Sequence, residues 1–489
     1  MQQAKIRFET IQIPRLSAIL LCIAVGCARY SPMPLNSPAD GRGEATLKSD
    51  SLKVRARELK HPILRPIELN PANGVTPDQA AVLAVLLNPT LRSARDQRGV
   101  ASAQVLAAGI LPNPQLTFSE DLANGGLDAQ AINAYGIGVN WDITQLITHD
   151  AKLRAARSGG ASIELGIAWQ EWQVAQAAKT AVYDLIALRQ QLELAREIDR
   201  RLGENAGLVR ANVGKHEKTL VDQAAADAAS QDAHTALLSA ERDARHQRWM
   251  LNRAIGVDAE VEVTIDPRTT LPSRIDLPGS DELLRGLEDR RLDLVALRRG
   301  YESQEQTLRA SVLAQFPKIN IGINKQRDNT DVKSIGFTAS VDLPIFDRNQ
   351  GDIATQNATR KVLFDEYSER RYEARSDIVG VLDDIAAIEE LLVAAEAAVP
   401  AQQRLVETYK TALDQGNVDV LSYYTAIGDV QQKKLNVIKL RQQLVDNRIA
   451  LEIAAGEYLP DAAGLPATQP AAMPTAPAAT APSPGKETR

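Results

Sequence analysis

The sequence is short of cysteine, of aromatic residues and of long apolar runs, and each shortage excludes something. Two cysteines in 489 residues rule out a disulfide scaffold and a zinc site held by four thiolates. Both, Cys22 and Cys27, lie at the extreme N-terminus, so the rest of the chain has no thiol chemistry. Only 4% of the residues are aromatic. That argues against several thick, independent cores, although the length would accommodate about three ordinary domains. Neither sign of charge dominates: 56 basic against 62 acidic residues leave a net charge of −6. Nothing electrostatic therefore points to nucleic acid as a partner. Beyond residue 27 no segment has the roughly 18 uninterrupted apolar residues of a membrane helix; the richest, Leu391 to Val399, is broken by Glu396. If such a mature chain spans a membrane, it does so as a β-barrel, because lipid satisfies no open backbone group.

The first residues read as an export address. Lys5, Arg7 and Arg15 form a basic flank, and Leu16 to Val25 form an apolar core too short to remain as a spanning helix. The core ends Ala24-Val25-Gly26-Cys27, which resembles the lipobox of bacterial lipoproteins. Residues 1–26 are expected to be a signal peptide and Cys27 the lipidated first residue of the mature chain. Ala28 rather than aspartate follows it, which by analogy with bacterial sorting favours the outer membrane. A plain secretory signal with a chance cysteine is the alternative; either way the chain leaves the cytoplasm.

Proline maps the rest. Residues 27–75 are rich in proline and turn formers and read as an extended leader. Residues 461–489 are mostly Ala, Pro and Thr and read as a disordered tail. Between Pro114 and Pro267 there is no proline, and between Pro344 and Pro460 only Pro400. These stretches are rich in Ala, Leu, Gln, Glu, Arg and Lys and predict helices far longer than the usual ~11–12 residues. Ala178, Val182, Leu185, Leu188, Leu192 and Ala195 recur at gaps of three and four. Val430, Val437, Leu444 and Leu451 recur at seven, with Leu440 and Ala454 between. That period marks a coiled-coil seam.

The chain also repeats itself at a spacing of about 200 residues. Leu237, Ala244, Leu251, Ala254 and Gly256 fall opposite Val437, Leu444, Leu451, Ala454 and Gly456; Gly136 and Asp142 fall opposite Gly336 and Asp342. Residues 76–262 and 280–460 are thus expected to be two copies of one unit (helix, β-hairpin, long helical hairpin), joined by a linker at 263–279. Each copy contains two alternating segments. In the first, Leu116 and Phe118 precede a loop at Asn124-Gly125-Gly126, and Ile137, Val139, Trp141 and Ile143 follow it. In the second, Ile319, Ile321 and Ile323 pair with Phe337, Ala339, Val341 and Leu343. Period-two alternation gives each strand one oily and one polar face. It fits a lipid-facing wall and equally a small soluble sheet with one dry face. Four strands cannot close a spanning barrel, since the narrowest have about eight, so a membrane role requires several chains to share one barrel.

With these elements in order, the chain resembles the TolC-like outer membrane efflux proteins over nearly all of residues 76–460. Four places carry the resemblance: Asn88-Pro89-Thr90-Leu91 leading to Leu111-Pro112-Asn113-Pro114-Gln115-Leu116; Arg291-Leu292-Asp293-Leu294 leading to Phe316-Pro317; Val341-Asp342-Leu343-Pro344-Ile345-Phe346; and Gly416-Asn417-Val418-Asp419-Val420-Leu421. The resemblance implies a mostly α fold with a membrane β-barrel. Three chains would share a 12-stranded barrel, and long coiled-coil helices would continue it as an α-barrel across the periplasm. It implies a homotrimer serving as exit duct of a tripartite efflux or type I secretion system. Its partners would be a periplasmic adaptor, an inner-membrane pump and outer membrane lipid, with no cofactor.

In that family acidic residues at the helical tips help to close the duct. The matching position here is Asp419, with Ser422 where relatives often carry a second acid. The expected constriction is Asp419 and Ser422, with Lys215 or Lys218 of a neighbour as counter-charge. The expected adaptor contacts are Gly214 and Lys215 at one tip and Gly416 and Asn417 at the other. Asp419 could equally be a helix cap. Enzyme readings fail: Val209 stands where a phosphate loop needs its first glycine, and Leu220 where a zincin needs its second histidine. Of the five histidines none forms an i, i+4 pair, so no metal site is expected. Trp169 and Trp172 read as packing residues. The competing non-enzyme reading is a lipid-anchored periplasmic coiled-coil scaffold without a pore.

Overall fold

The computed structural model describes residues 30–33, 35, 47, 49–69, 74–123 and 132–459. The chain divides into residues 1–41 and 42–489. In the first part the described residues carry neither helix nor strand, and Tyr30, Met33 and Leu35 are exposed. The signal segment, Cys27, the loop 124–126 and the tail 461–489 lie outside the described residues. All elements below belong to the second part.

Helix α1 (Asp50–Arg57) precedes α2 (Pro77–Leu87) and α3 (Pro89–Gly109). Strands β1 (Gln115–Asp121) and β2 (Ala134–Asp142) follow, then α4 (Thr144–Gly214) and α5 (Leu220–Ile255). The second series starts with the short α6 (Ser280–Leu284) and α7 (Leu287–Arg290), then α8 (Leu292–Leu313). It continues through β3 (Lys318–Arg327), β4 (Lys333–Asp342), α9 (Gln350–Asp414) and α10 (Val420–Ala455).

The 71 residues of α4 and 65 of α9 reach about 100 Å each at 1.5 Å per residue. Their seam is where the periodicity placed it: Ala178, Val182 and Leu185 are buried on α4, and Leu440, Leu444, Leu451 and Ala454 on α10. Pro400 lies inside α9 and is exposed; it forgoes one backbone bond without ending the helix. Each long helix folds back on its successor to make a helical hairpin. Helix α8 bridges the two series. Ser162 and Ser303 donate across α4 and α8 to the Ala296 and Ala155 carbonyls at 2.7 and 2.8 Å, and Gln304 of α8 donates to the Gln356 carbonyl of α9.

A buried ionic cluster joins α4 to α10. Glu452, 1% exposed at its side chain, accepts from Gln176 at 2.8 Å and from Lys179 at 3.0 Å. Lys179 also lies 3.3 Å from Asp78 and over the Tyr458 ring. Burial alone would depress the Lys179 ammonium, but the charges of Glu452 and Asp78 and the hydrogen bond to Glu452 hold it charged, above the usual lysine range. The tryptophans pack: Trp172 meets Tyr458 edge-on, and Arg291 lies over Trp169.

The four strands form one antiparallel sheet in the order β1-β2-β3-β4. The central pair joins the two series, with Val139 opposite Ile323 and Trp141 opposite Ile321. Thr144 and Ile319 lock the exit of β2 to the start of β3, Thr144 Oγ1 accepting from the Ile319 N–H at 2.6 Å.

The structure corrects three expectations. The leader is not extended throughout: residues 50–57 form α1, because Leu52 and Ala56 give it an apolar edge that is fully buried in the core around Leu185 and Leu251. Residues 263–279 are packed chain, with Val263, Ile265, Leu271 and Ile275 buried and Val75 bridged to Ile265. The second hairpin is longer than its apolar residues suggested, running through Lys325 and Arg327 and back from Lys333.

Candidate functional site

Residues opposite one another in an antiparallel pair share a face. One face of the sheet therefore carries Leu116, Phe118, Ile137, Val139, Trp141, Ile319, Ile321, Ile323, Phe337 and Val341. Most of these large apolar groups are exposed, Phe118 by 70% and Phe337 by 84%. The other face carries Thr117, Ser119, Asn140, Asn320, Asn324, Thr338 and Ser340, with glycines between them. The outer strands β1 and β4 each have one paired neighbour, so each keeps one open edge. A sheet with a bare oily face and two open edges would aggregate in water.

On the polar face side chains lie over the glycines of the neighbouring strand, and Gly322 shows how. A Cβ there would collide with the Asn140 side chain, which lies across it from the opposite strand. Asn324 covers Gly336 in the same way, and Thr117 Oγ1 would stand 2.9 Å from a Cβ at Gly138. The polar side chains thus lean along the sheet, each over a glycine of the next strand. Ten residues of β3 or β4 tilted by about 40° rise about 25 Å, the height of an outer-membrane apolar band.

At the other end of the long helices are two turns of one design. After α4, His216 adopts the left-handed conformation at φ 62°, and the Glu217 N–H donates back to the Asn212 carbonyl at 2.9 Å. After α9, Gly416 does the same at φ 72°, and the Asn417 N–H donates to the Ala412 carbonyl at 2.8 Å. These are Schellman closures. Thr219 then caps α5 in a capping box with Asp222, and Asp419 caps α10. Asp419 Oδ1 accepts from the Ser422 N–H at 2.7 Å and Oδ2 from the Ser422 hydroxyl at 3.1 Å. The bond from the Ser422 backbone, chiefly, holds the Asp419 carboxyl below the usual range. It is therefore an anion, exposed, beside Gly416 and Asn417 at the tip. Gly214, Lys215 and Lys218 belong to the first turn. Near both turns Tyr423 and Tyr424 are buried, and Tyr424 hydrogen-bonds Asn205 of α4. Burial pushes the Tyr424 phenol up to about 12.

The structure brings Asp419 and Ser422 into one hydrogen-bonded unit and sets Gly214 and Lys215 in a separate turn. Sequence reasoning passed over His216, whose left-handed backbone has no signature in a non-glycine residue. It also passed over Lys325, Arg327 and Lys333, because charge at those places interrupts the apolar alternation. The Asp328-Asn329-Thr330-Asp331 turn between them was the available signal: Asp328 accepts from the Thr330 and Val332 N–H groups.

An exposed apolar sheet on top of paired helices of 65 and 71 residues, with no described helix long and apolar enough to cross a membrane, defines an architecture: a mostly helical chain that carries four strands of a sheet open at both edges. The comparisons agree. Residues 283–457 match the family described as outer membrane efflux protein. The cobalt-zinc-cadmium resistance protein CzcC of Cupriavidus metallidurans is 25% identical over 312 residues, 61% of this chain and 70% of that protein. Among solved structures, CusC superposes with a TM-score of 0.67 at 15% identity, covering 82% of this chain and 98% of that one. The Campylobacter jejuni CmeC outer membrane channel does so at 0.66 and 14%, covering 88% and 94%.

Proposed function

We propose that the protein is the outer-membrane exit duct of a tripartite export machine. In this reading three copies pool their four strands into one barrel of twelve and their long helices into a periplasmic tube. The observation that carries it is the sheet: an oily face exposed along its length, a polar face behind it, and open edges on β1 and β4. Closing those edges on identical neighbours satisfies the backbone, presents the oily face to lipid and turns the polar face into a lumen. Residues 76–262 and 280–460 are then the two units of each wall. The signal at 1–26 and lipidation at Cys27 bring the chain to the membrane and anchor it there, and 27–75 lead into the wall.

The tips at Gly214-Lys215 and Gly416-Asn417 are the surfaces offered to a periplasmic adaptor, behind which an inner-membrane pump supplies the energy. Asp419, repeated three times around the axis, narrows the duct electrostatically, since like charges at a constriction repel anions and attract cations. The resistance named for CzcC makes divalent metal ions the first cargo to test. The deciding experiment is conductance of the purified protein in planar bilayers, with heat-modifiable trimers on gels. A soluble monomer without conductance, once the lipid is removed, would replace the duct with a lipid-anchored scaffold.

A further inference from the structure

We infer that the oily face ends, on its loop side, in a binding site for the phosphate-bearing head group of an outer-leaflet lipid, formed by Lys325, Arg327 and Lys333 beside Tyr135. This rests on reading the sheet as a lipid-facing barrel wall. Lys325 lies opposite Ile335, Arg327 opposite Lys333, and Tyr135 opposite Arg327. All four therefore share the face of Ile319, Ile321, Ile323 and Phe337. Directly opposite and diagonal neighbours stand about 5–8 Å apart, so the three cations form one patch.

Their position in the alternation is informative. A cation on the lipid side of a barrel is costly at mid-depth and nearly free at the interface. Three at one level mark where the apolar band stops. The opposite end of the same face has Trp141, Ile319 and Val341, then Phe316 and Leu343, with no lysine or arginine. The one strand cation there, Lys318, is on the polar face opposite Asp342. The helices leave from that end, so the cationic rim belongs to the far side of the membrane.

The nearby carboxylates do not cancel the patch. Asp331 is held 3.1 Å from Arg327 Nε, and the guanidinium lies 5.9 Å from the Tyr135 ring centre. Asp328 is engaged by its own turn, accepting from Thr330 and Val332. Glu120, opposite Tyr135, is the carboxylate that shares the face. Lys325 and Lys333 are exposed and have no ion-pair partner among the described residues. Arg327 and Tyr135 thus form a fixed floor, and two ammonium groups on flexible stems are left to reach a head group above it. Acyl chains of the same molecule would lie on Ile323, Ile335 and Phe337, which is why the ligand is a lipid and not a free anion.

The test uses the full-length assembled protein in detergent, titrated with bis-phosphorylated lipid A and read by native mass spectrometry. Dephosphorylated lipid A and inorganic phosphate are the comparison probes. The expected result is retention of the phosphorylated lipid, and roughly thirtyfold weaker retention in Lys325→Gln/Lys333→Gln, the scale of two cations near an anionic surface. Lys325→Arg/Lys333→Arg should retain it, as should Lys361→Gln/Arg370→Gln on α9. Lys333→Gln alone serves if the double variant does not assemble. Equal binding by the glutamine variants, equal binding of the dephosphorylated lipid, or displacement by millimolar phosphate would each overturn the site. Conductance of the same preparations separates the two readings: a non-conducting wild type removes the barrel, whereas a conducting wild type indifferent to these lysines removes only the lipid site.

Discussion

Asn88 donates its side-chain amide to the Ala254 carbonyl at 2.9 Å, and the second series repeats the bond with Arg291, which donates to Ala454 at 3.2 Å. In both, the last helix ends on a left-handed glycine, Gly256 or Gly456, pressed against the residue that starts the helix leading to the hairpin. A Cβ at Gly256 would stand 2.6 Å from Asn88 Cα, and one at Gly456 3.0 Å from Arg291 Cα. The duplication is thus a shared joint as well as a shared order of elements.

Gly256→Ala is expected to be the more damaging of the two alanine variants. Left-handed backbone costs an L-residue about 1–2 kcal/mol at either site, and the collision at Gly256 is the closer one, 2.6 Å to the facing Cα against 3.0 Å at Gly456. Thermal unfolding should rank wild type above Gly456→Ala above Gly256→Ala. The reverse order would mean the joints are not equivalent in rigidity.

His216→Gly should stabilise the first tip. The turn is already closed as Gly416 closes the second, and glycine removes the left-handed penalty of about 1 kcal/mol. Slower hydrogen exchange of residues 212–219 is the readout. Faster exchange would show that the imidazole itself holds the turn.

Asp419 serves as cap and is proposed to constrict the duct, and two substitutions divide these roles. Asp419→Thr copies Thr219 of the first tip, keeping a cap and removing the charge; Asp419→Ala removes both. If the charge narrows the duct, both variants raise single-channel conductance and only alanine lowers the melting temperature. A closed-state conductance unchanged in both variants leaves Asp419 as a cap and nothing more.

Asp446 makes a contribution to stability that favours acid. Burial, then the Asp184 carboxylate, raises its carboxyl to about 6, and its Oδ1 is buried without a hydrogen-bond partner. Asp184 is raised too, by burial, while accepting from Gln442 and Gln247. Between about pH 4 and 6 the folded state holds more protons than the unfolded one, so this contribution to stability is present below that window and lost as pH rises through it. Asp446→Asn should therefore raise stability near neutrality by roughly 1–2 kcal/mol, a value reduced for partial solvation, and change little at pH 4. Melting curves at the two pH values check it; a gain of equal size at both would point to packing.

Much of the wall was legible in the residues because helix and strand each carry a period. The gaps at Ala178, Val182 and Leu185, the sevens at Leu444 and Leu451, and the alternation at Ile319, Ile321 and Ile323 depend on local geometry alone. So did the joint glycines and the capping possibility at Asp419. Residues whose role is set by distant neighbours were not legible. Leu52 and Ala56 make a helix edge that means little until the core around Leu185 receives it. Asn140 is an ordinary strand residue until register places it over Gly322, and Lys325 and Lys333 break a pattern until both prove to lie at one end of one face. Period is written along the chain by the backbone's own repeat. Register, burial and the meeting of two copies arise only when segments about 200 residues apart come together, and the tertiary structure alone decides those.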